Sequence, residues 1–302
     1  MRTFPHPSAP RRGAENFLFP AAALVEILEH QEHHVRPRRA MTVSHVAVVA
    51  FLAQYFGYVL LSTVIERVVF RDPRRRARFK VQAKNAPVGP VATARDGTWG
   101  FPLYQLVTGR RNANANLHPY HLAFASINLA LSSAFAGAVG ECVFRGTSTL
   151  SETSTPASFC VGLARAVAMQ SVLEYYWHRL MHWRWFYKTL HKYHHHYKSP
   201  NVWCDLFIHP LEAFGYYCIL YAPAVCVPMP TTAFLAYMVI MGVCGVLDHS
   251  GVRLDAPFGI YRVKFHDDHH KLYNVNYAFP FDWMDVLHGT RADDCPANEK
   301  KK

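Results

Sequence analysis

The chain has 302 residues, with 32 Lys and Arg against 21 Asp and Glu, a formal net charge of +11, and 51% hydrophobic and 14% aromatic residues. Such basicity raises nucleic acid as a partner. The basic residues, however, lie in segments between long apolar runs and no nucleic-acid motif accompanies them, so a membrane surface explains them and nucleic acid is excluded. Seven cysteines without a CxxC pair exclude both a disulfide framework and a thiolate metal site.

Taken in order, residues 1–40 are polar, and Met1–Arg12 is followed by no apolar core, so no cleavable signal peptide is expected there. Ala21–His30 is a short amphipathic candidate, too brief to span and suited to lying on a membrane. Val43–Val64 is the first predicted span, long enough at 1.5 Å rise per residue for a bilayer core of about 30 Å. The rest of 41–120 is polar and basic, most densely in Arg71–Lys80, which the positive-inside rule places in the cytoplasm. His121–Val143 is the second span, 144–156 a lumenal connection, and Ala157 to about Tyr176 the third span. Arg165 and Gln170 inside the third span point one of its faces at protein or a polar cavity.

Three histidine clusters follow: His178-Arg-Leu-Met-His182, His191-Lys-Tyr-His194-His195-His196 and His266-Asp-Asp-His269-His270. Residues three and four apart share a helix face, so each cluster can present its imidazoles together to a metal. From His182 to His191 a continuous helix would turn by about 900° and point the two clusters apart. One common site therefore needs a corner within Trp183–Tyr187. Leaving aside His196, the eight imidazoles at these spacings exceed the four ligands of a closed structural zinc site, which implies two metals. Imidazole suits Zn, Cu, Fe and Ni alike. Between the second and third clusters, Asp205–Asp248 reads as a membrane hairpin turning near Pro228, which returns Asp248 and His249 to the face that carries the histidines. The closing Glu299–Lys302 reads as part of a solvated tail.

These features predict an all-α integral membrane protein with four to five membrane segments and a cytoplasmic histidine-rich cap. The three clusters, HxxxH, HxxHH and HxxHH in this order, resemble the fatty acid hydroxylase superfamily of integral membrane di-iron enzymes, over about Tyr120 to Thr290. His249-Ser-Gly251, Asn274-Val-Asn-Tyr277 and Asp285-Val-Leu-His-Gly-Thr290 resemble its further conserved stretches. Tyr187-Lys-Thr-Leu-His191-Lys, His209-Pro-Leu-Glu212 and the Leu-His-Gly-Thr ending look most similar to the methylsterol monooxygenase branch, although Ala278 stands where relatives often carry Gly. On this resemblance the chain divides into a polar segment (1–40), a first span with its basic stretch (41–120), a catalytic domain (121–290) and a polar tail (291–302).

The resemblance implies nine metal ligands: His178, His182, His191, His194, His195, His249, His266, His269 and His270. His196 would point off the ligand face. Glu174, Asp248, Asp267 and Asp268 are placed in sequence to accept hydrogen bonds from ligand imidazoles, and His209 and His288 match family positions read as structural or supporting. The resemblance further implies two non-haem iron ions, O2, and electrons from NAD(P)H delivered by a separate b5-type cytochrome and its reductase. It also implies residence in the endoplasmic reticulum membrane and a lipid substrate. The first candidate is the C4 methyl of a 4-methylsterol; a fatty-acyl or sphingolipid hydroxylase and a sterol desaturase are the enzymatic alternatives. A membrane metal-binding or transport protein is the non-enzymatic one.

Overall fold

The computed structural model describes residues 43–70, 72–82, 118, 120–253 and 261–294. The amphipathic candidate Ala21–His30 and residues 295–302 of the tail lie outside them. Four helices are long and apolar enough to cross a membrane. Helix α1 (His45–Ile65) runs on through a π-helical stretch to Phe70 and is followed by the short basic α2 (Pro73–Phe79). Helix α3 spans His121–Arg145 and α4 spans Pro156–Met181. After α4 come a three-residue turn α5 (Arg184–Phe186), α6 (Pro210–Tyr221), α7 (Pro223–Cys226), and the fourth long helix α8 (Thr231–Ser250). Two further helices, α9 (Val263–Leu272) and α10 (Trp283–His288), complete the set.

Local chemistry sets the helix ends. Ser44 caps α1 by accepting the Ala47 amide at 3.1 Å, and Thr155 and Ser158 form a reciprocal capping box ahead of Pro156 in α4. Gly146 and Gly251 end α3 and α8 in the left-handed conformation. Helices α1 and α3 lie close because Gly140 leaves room: a Cβ there would meet the Val46 carbonyl oxygen at 3.0 Å. Val49, Phe56, Leu60, Leu235 and Val239 are exposed on the outside of the bundle, as lipid-facing positions should be.

The predicted hairpin has unequal arms. Its first arm breaks at Pro223, which cannot donate to the helical ladder, so α6 and α7 are too short to be counted with the four membrane-length helices. One small parallel strand pair departs from a purely helical architecture. Leu150–Ser151 (β1) pairs with Met229–Pro230 (β2), tying the α3–α4 connection to the hairpin turn. Helices α4 and α8 both start at this pair and run the same way, so their C-terminal ends carry His178 and His249 to one end of the bundle. Between them, Gln170 is wholly buried and accepts from the Tyr237 hydroxyl at 3.1 Å. Asn128 of α3 donates to Leu206 O and Ile208 O at 3.0 and 2.8 Å, fixing the loop ahead of α6.

The segment after α9 is held by one buried carboxylate. Asp285 accepts the Tyr277 amide at 3.0 Å, the Ala278 amide at 2.6 Å and the Thr290 hydroxyl at 2.6 Å. An Asp285→Ala chain would leave these donors unpaired in a dry site. We expect a loss of about 3 kcal/mol in chemical unfolding, given roughly 1.5–3 kcal/mol for a hydrogen bond to a charged group. An unchanged midpoint would refute this role.

Candidate metal centre

Helix α4 places His178 and His182 four residues apart, with His182 just past the last helical residue. Trp183 then turns extended, at φ −65° and ψ 138°, and breaks the helix. The chain folds back through α5 and a π-helical turn over Tyr187–His191, so His191 comes to face His182, their Nε2 atoms 3.0 Å apart. The second cluster does not lie on one regular helix: His191 closes the π-helical turn, and His194 and His195 sit in a separate 3-10 turn. The third cluster lies on α9, and His249 is the penultimate residue of α8.

The structure brings the nine histidines into two groups. His178, His182, His191, His195 and His269 form one, and His194, His249, His266 and His270 the other; in each group the facing nitrogens all lie within 4.8 Å of one another. Both HxxHH clusters are shared out in the same way. Their first and last histidines join one group and the middle one joins the other; in α9 this follows from the roughly 100° between positions i+3 and i+4 of a helix, and in the second cluster from the break between its two turns. His196 is exposed and stacks edge-on against His118.

The donor chemistry fits cations. His178 Nδ1 donates to Tyr277 O at 2.8 Å, His191 Nδ1 to Glu212 Oε1 at 2.5 Å, and His269 Nδ1 to Val275 O at 2.6 Å. His249 Nδ1 donates to Gly245 O at 3.0 Å and lies 3.2 Å from Asp205 Oδ1. Carbonyls and carboxylates can only accept, so in the neutral rings the proton sits on Nδ1 and a lone pair on Nε2. Those lone pairs converge. Nε2 atoms of His191 and His195 are 3.1 Å apart, as are those of His195 and His269 and those of His249 and His266. The Nε2 of His178 is buried with no hydrogen-bond partner among the described residues. Burial also pushes the His194, His195, His266, His269 and His270 imidazoles well below their ordinary range, with neighbouring imidazoles adding to the shift. Neutral imidazoles aimed at a common point are what a metal ion requires.

The sequence profile of the fatty acid hydroxylase family matches residues 163–290, a stretch that holds all nine of these histidines. Over this stretch the chain is similar to the fatty acid hydroxylases. The family is one of non-haem iron oxidoreductases. The chain is 34% identical over 154 residues to a very-long-chain aldehyde decarbonylase of Oryza sativa subsp. indica, covering 47% of this chain and 58% of that protein. It is 32% identical over 136 residues to fatty acid hydroxylase domain-containing protein 2 of Macaca fascicularis, 44% of this chain and 39% of that protein. Against methylsterol monooxygenase 1 of Gallus gallus it is 30% identical over 161 residues, 47% of this chain and 49% of that protein. The chain thus spans about half the length of the curated relatives it matches, and no solved structure matches it.

Within the matched stretch, the acceptors expected from sequence make other contacts. Glu174 accepts from Gln170, Asp248 accepts the Tyr261 hydroxyl at 2.5 Å, Asp267 accepts from Gln82 at 2.7 Å, and Asp268 pairs with Lys264. His209 caps α6, accepting the Leu211 amide at 3.3 Å. Asp248, Asp267 and Asp268 are one or two positions from a ligand candidate along a helix, which turns them off its face. Glu212 and Asp205 hold imidazoles instead. Glu212 is the one charge in α6, is buried and lies in its first turn, and a buried carboxylate in an otherwise apolar helix is a signal of function.

Glu212→Gln keeps the shape but not the charge behind His191. Supporting residues of this kind contribute roughly 10–100-fold to metal affinity, so competitive chelator titration should show affinity weakened by about that factor. Wild-type affinity would make the contact incidental.

Beneath the histidines lies a cavity of about 1050 Å³, including its open mouth. His178, His191, His194, His249 and His266 border it from both groups, and Leu129, Leu206, Leu220, Met238, Met241 and Phe279 line its apolar walls.

Proposed function

We propose that this chain is a membrane-bound oxygenase that holds two non-haem iron ions on its nine histidines and uses O2 to oxidise a C–H bond of a lipid, in the first place the C4 methyl of a 4-methylsterol. The observation that carries this reading is the mostly apolar cavity bordered by both histidine groups, with Glu174, Asp205, Glu212 and Asp248 also on its wall, which offers a hydrocarbon a bed beside the metal positions. Iron bound there supplies the O2-dependent oxidising chemistry. The chain's own part is to hold the lipid along the leucine and methionine walls and keep bulk water out. It also fixes the ring orientation of His191 and His249 through Glu212 and Asp205. The methylsterol relative favours a sterol within the lipid class.

Electrons would come from NAD(P)H through a separate b5-type cytochrome and its reductase. Lys80 reaches Ser250 at the histidine end of the bundle, so basic α2 lies at that end too. The positive-inside rule then favours the cytoplasm for the histidines, in the endoplasmic reticulum membrane. The deciding experiment is a lipid profile of cells lacking this protein. Build-up of 4-methylsterols, reversed by the wild-type chain, is expected. Unchanged sterols with altered hydroxylated acyl lipids would move the reaction to an acyl chain.

A further inference from the structure

Both histidine groups mix imidazoles held through Nδ1 with imidazoles that are not. Three of the five imidazoles in the larger group are fixed through Nδ1, by Tyr277, Glu212 and Val275. In the four-histidine group, His249 Nδ1 donates to Gly245 O and His270 is supported by the Tyr197 backbone, whereas the Nδ1 of His194 is buried without a hydrogen-bond partner among the described residues, as is that of His195 in the larger group. The backbones that carry these rings therefore share in placing them.

Those backbones meet at Lys80, a residue outside the matched domain. Its side chain is fully buried, 0% exposed, which is rare for lysine. The ammonium donates to Pro200 O and to Ser250 O, the latter at 2.9 Å, and it faces the Asp267 carboxylate. Pro200 follows His194 by six residues, Ser250 follows His249 directly and Asp267 follows His266 directly. The four-histidine group is drawn from these three segments and no other. Backbone pairing holds the lysine there: Val81 N donates to Gly251 O at 2.8 Å and Arg253 N to Phe79 O at 2.6 Å. Gln82 extends the tie, donating to Lys198 O at 2.9 Å and to Asp267.

We propose that Lys80 is a positioning residue for the four-histidine group, tying the backbones at Pro200, Ser250 and Asp267 so that its imidazoles stay converged. The proposal rests on the two-metal reading above. It predicts selective loss of one metal, which a general weakening of the fold would not give. Full-length protein in detergent is loaded with Fe(II) under anaerobic conditions, passed over a desalting column, and its iron per chain counted by mass spectrometry. The wild type should retain two ions and Lys80→Met one.

Combination identifies which group empties. Added to His266→Ala, Lys80→Met should cost no further iron; added to His269→Ala, it should take the count to zero. Lys80→Met together with Asp267→Asn removes the unpaired buried carboxylate and should still hold one ion, because the carbonyls of Pro200 and Ser250 lack their donor. Should Lys80→Met fail to fold, Gly251→Ala decides by the same count. Gly251 has φ +58°, and a Cβ there would lie 2.5 Å from the Lys80 amine and 3.0 Å from Asp267 Oδ1, displacing the amine without removing it. Two ions retained in these variants, or equal loss from both groups, would overturn the role of Lys80. Fewer than two in the wild type would overturn the two-metal reading itself.

Discussion

His269→Ala should reduce product formation to background and iron content by one ion per chain, while the helical fold survives. His269 is fully buried; its Nε2 stands 3.1 Å from that of His195, and its ring centroid 4.4 Å from that of His178. It is the only member of the five-histidine group contributed by α9. Alanine removes a donor no neighbour can replace, since Asp267 and Asp268 on the same helix face elsewhere. Two neighbouring histidines provide the controls. His196→Ala, next to the ligand candidate His195 but exposed, should leave iron and turnover unchanged. His209→Ala removes a helix cap and should cost about 1 kcal/mol in stability with both ions kept. In cells lacking the protein, only the two controls should restore the lipid profile. Full turnover by His269→Ala would end the oxygenase reading.

The spans were readable in the chain because crossing a bilayer demands about 20 consecutive apolar residues, a requirement local in sequence. The need for a corner between His182 and His191 was readable too, from helical rotation alone, and the break falls at Trp183. What escaped were relations between distant segments. Nothing in HxxHH announces that its middle histidine serves a different group from its outer two, since that depends on where α4, α8 and α9 meet around it. Sequence neighbours also misled: Asp248 beside His249 is a tempting acceptor, yet His249 leans on Asp205, 44 positions earlier, across the bundle. The short first arm of the hairpin had a local signal, Pro223. Lys80 had none, for inside the run Arg71–Lys80 it looks like one more surface base.

Metal-free protein should lose stability steeply between pH 7 and 5. His194, His195, His266, His269 and His270 are held neutral by burial, with folded-state pKa values well below the ordinary 6.5. The unfolded chain binds protons that the folded one refuses, so the stability these groups contribute is present above about pH 6.5 and is lost as pH falls. Each imidazole that takes up a proton only on unfolding adds to the loss, and five acting together can threaten a whole stability of about 5–15 kcal/mol typical of a folded protein. Bound iron should delay the loss but not remove it, because protons and metal compete for the same Nε2 lone pairs. Iron release should therefore precede unfolding as the medium is acidified, and metal-free protein should unfold in a single transition at higher pH than the iron-loaded form. Circular dichroism and iron content, followed together from pH 8 to 5 in detergent, test this. Stability that stays flat across that range would mean that the histidines are not buried in their neutral form, and the case for a metal at their centre would go with it.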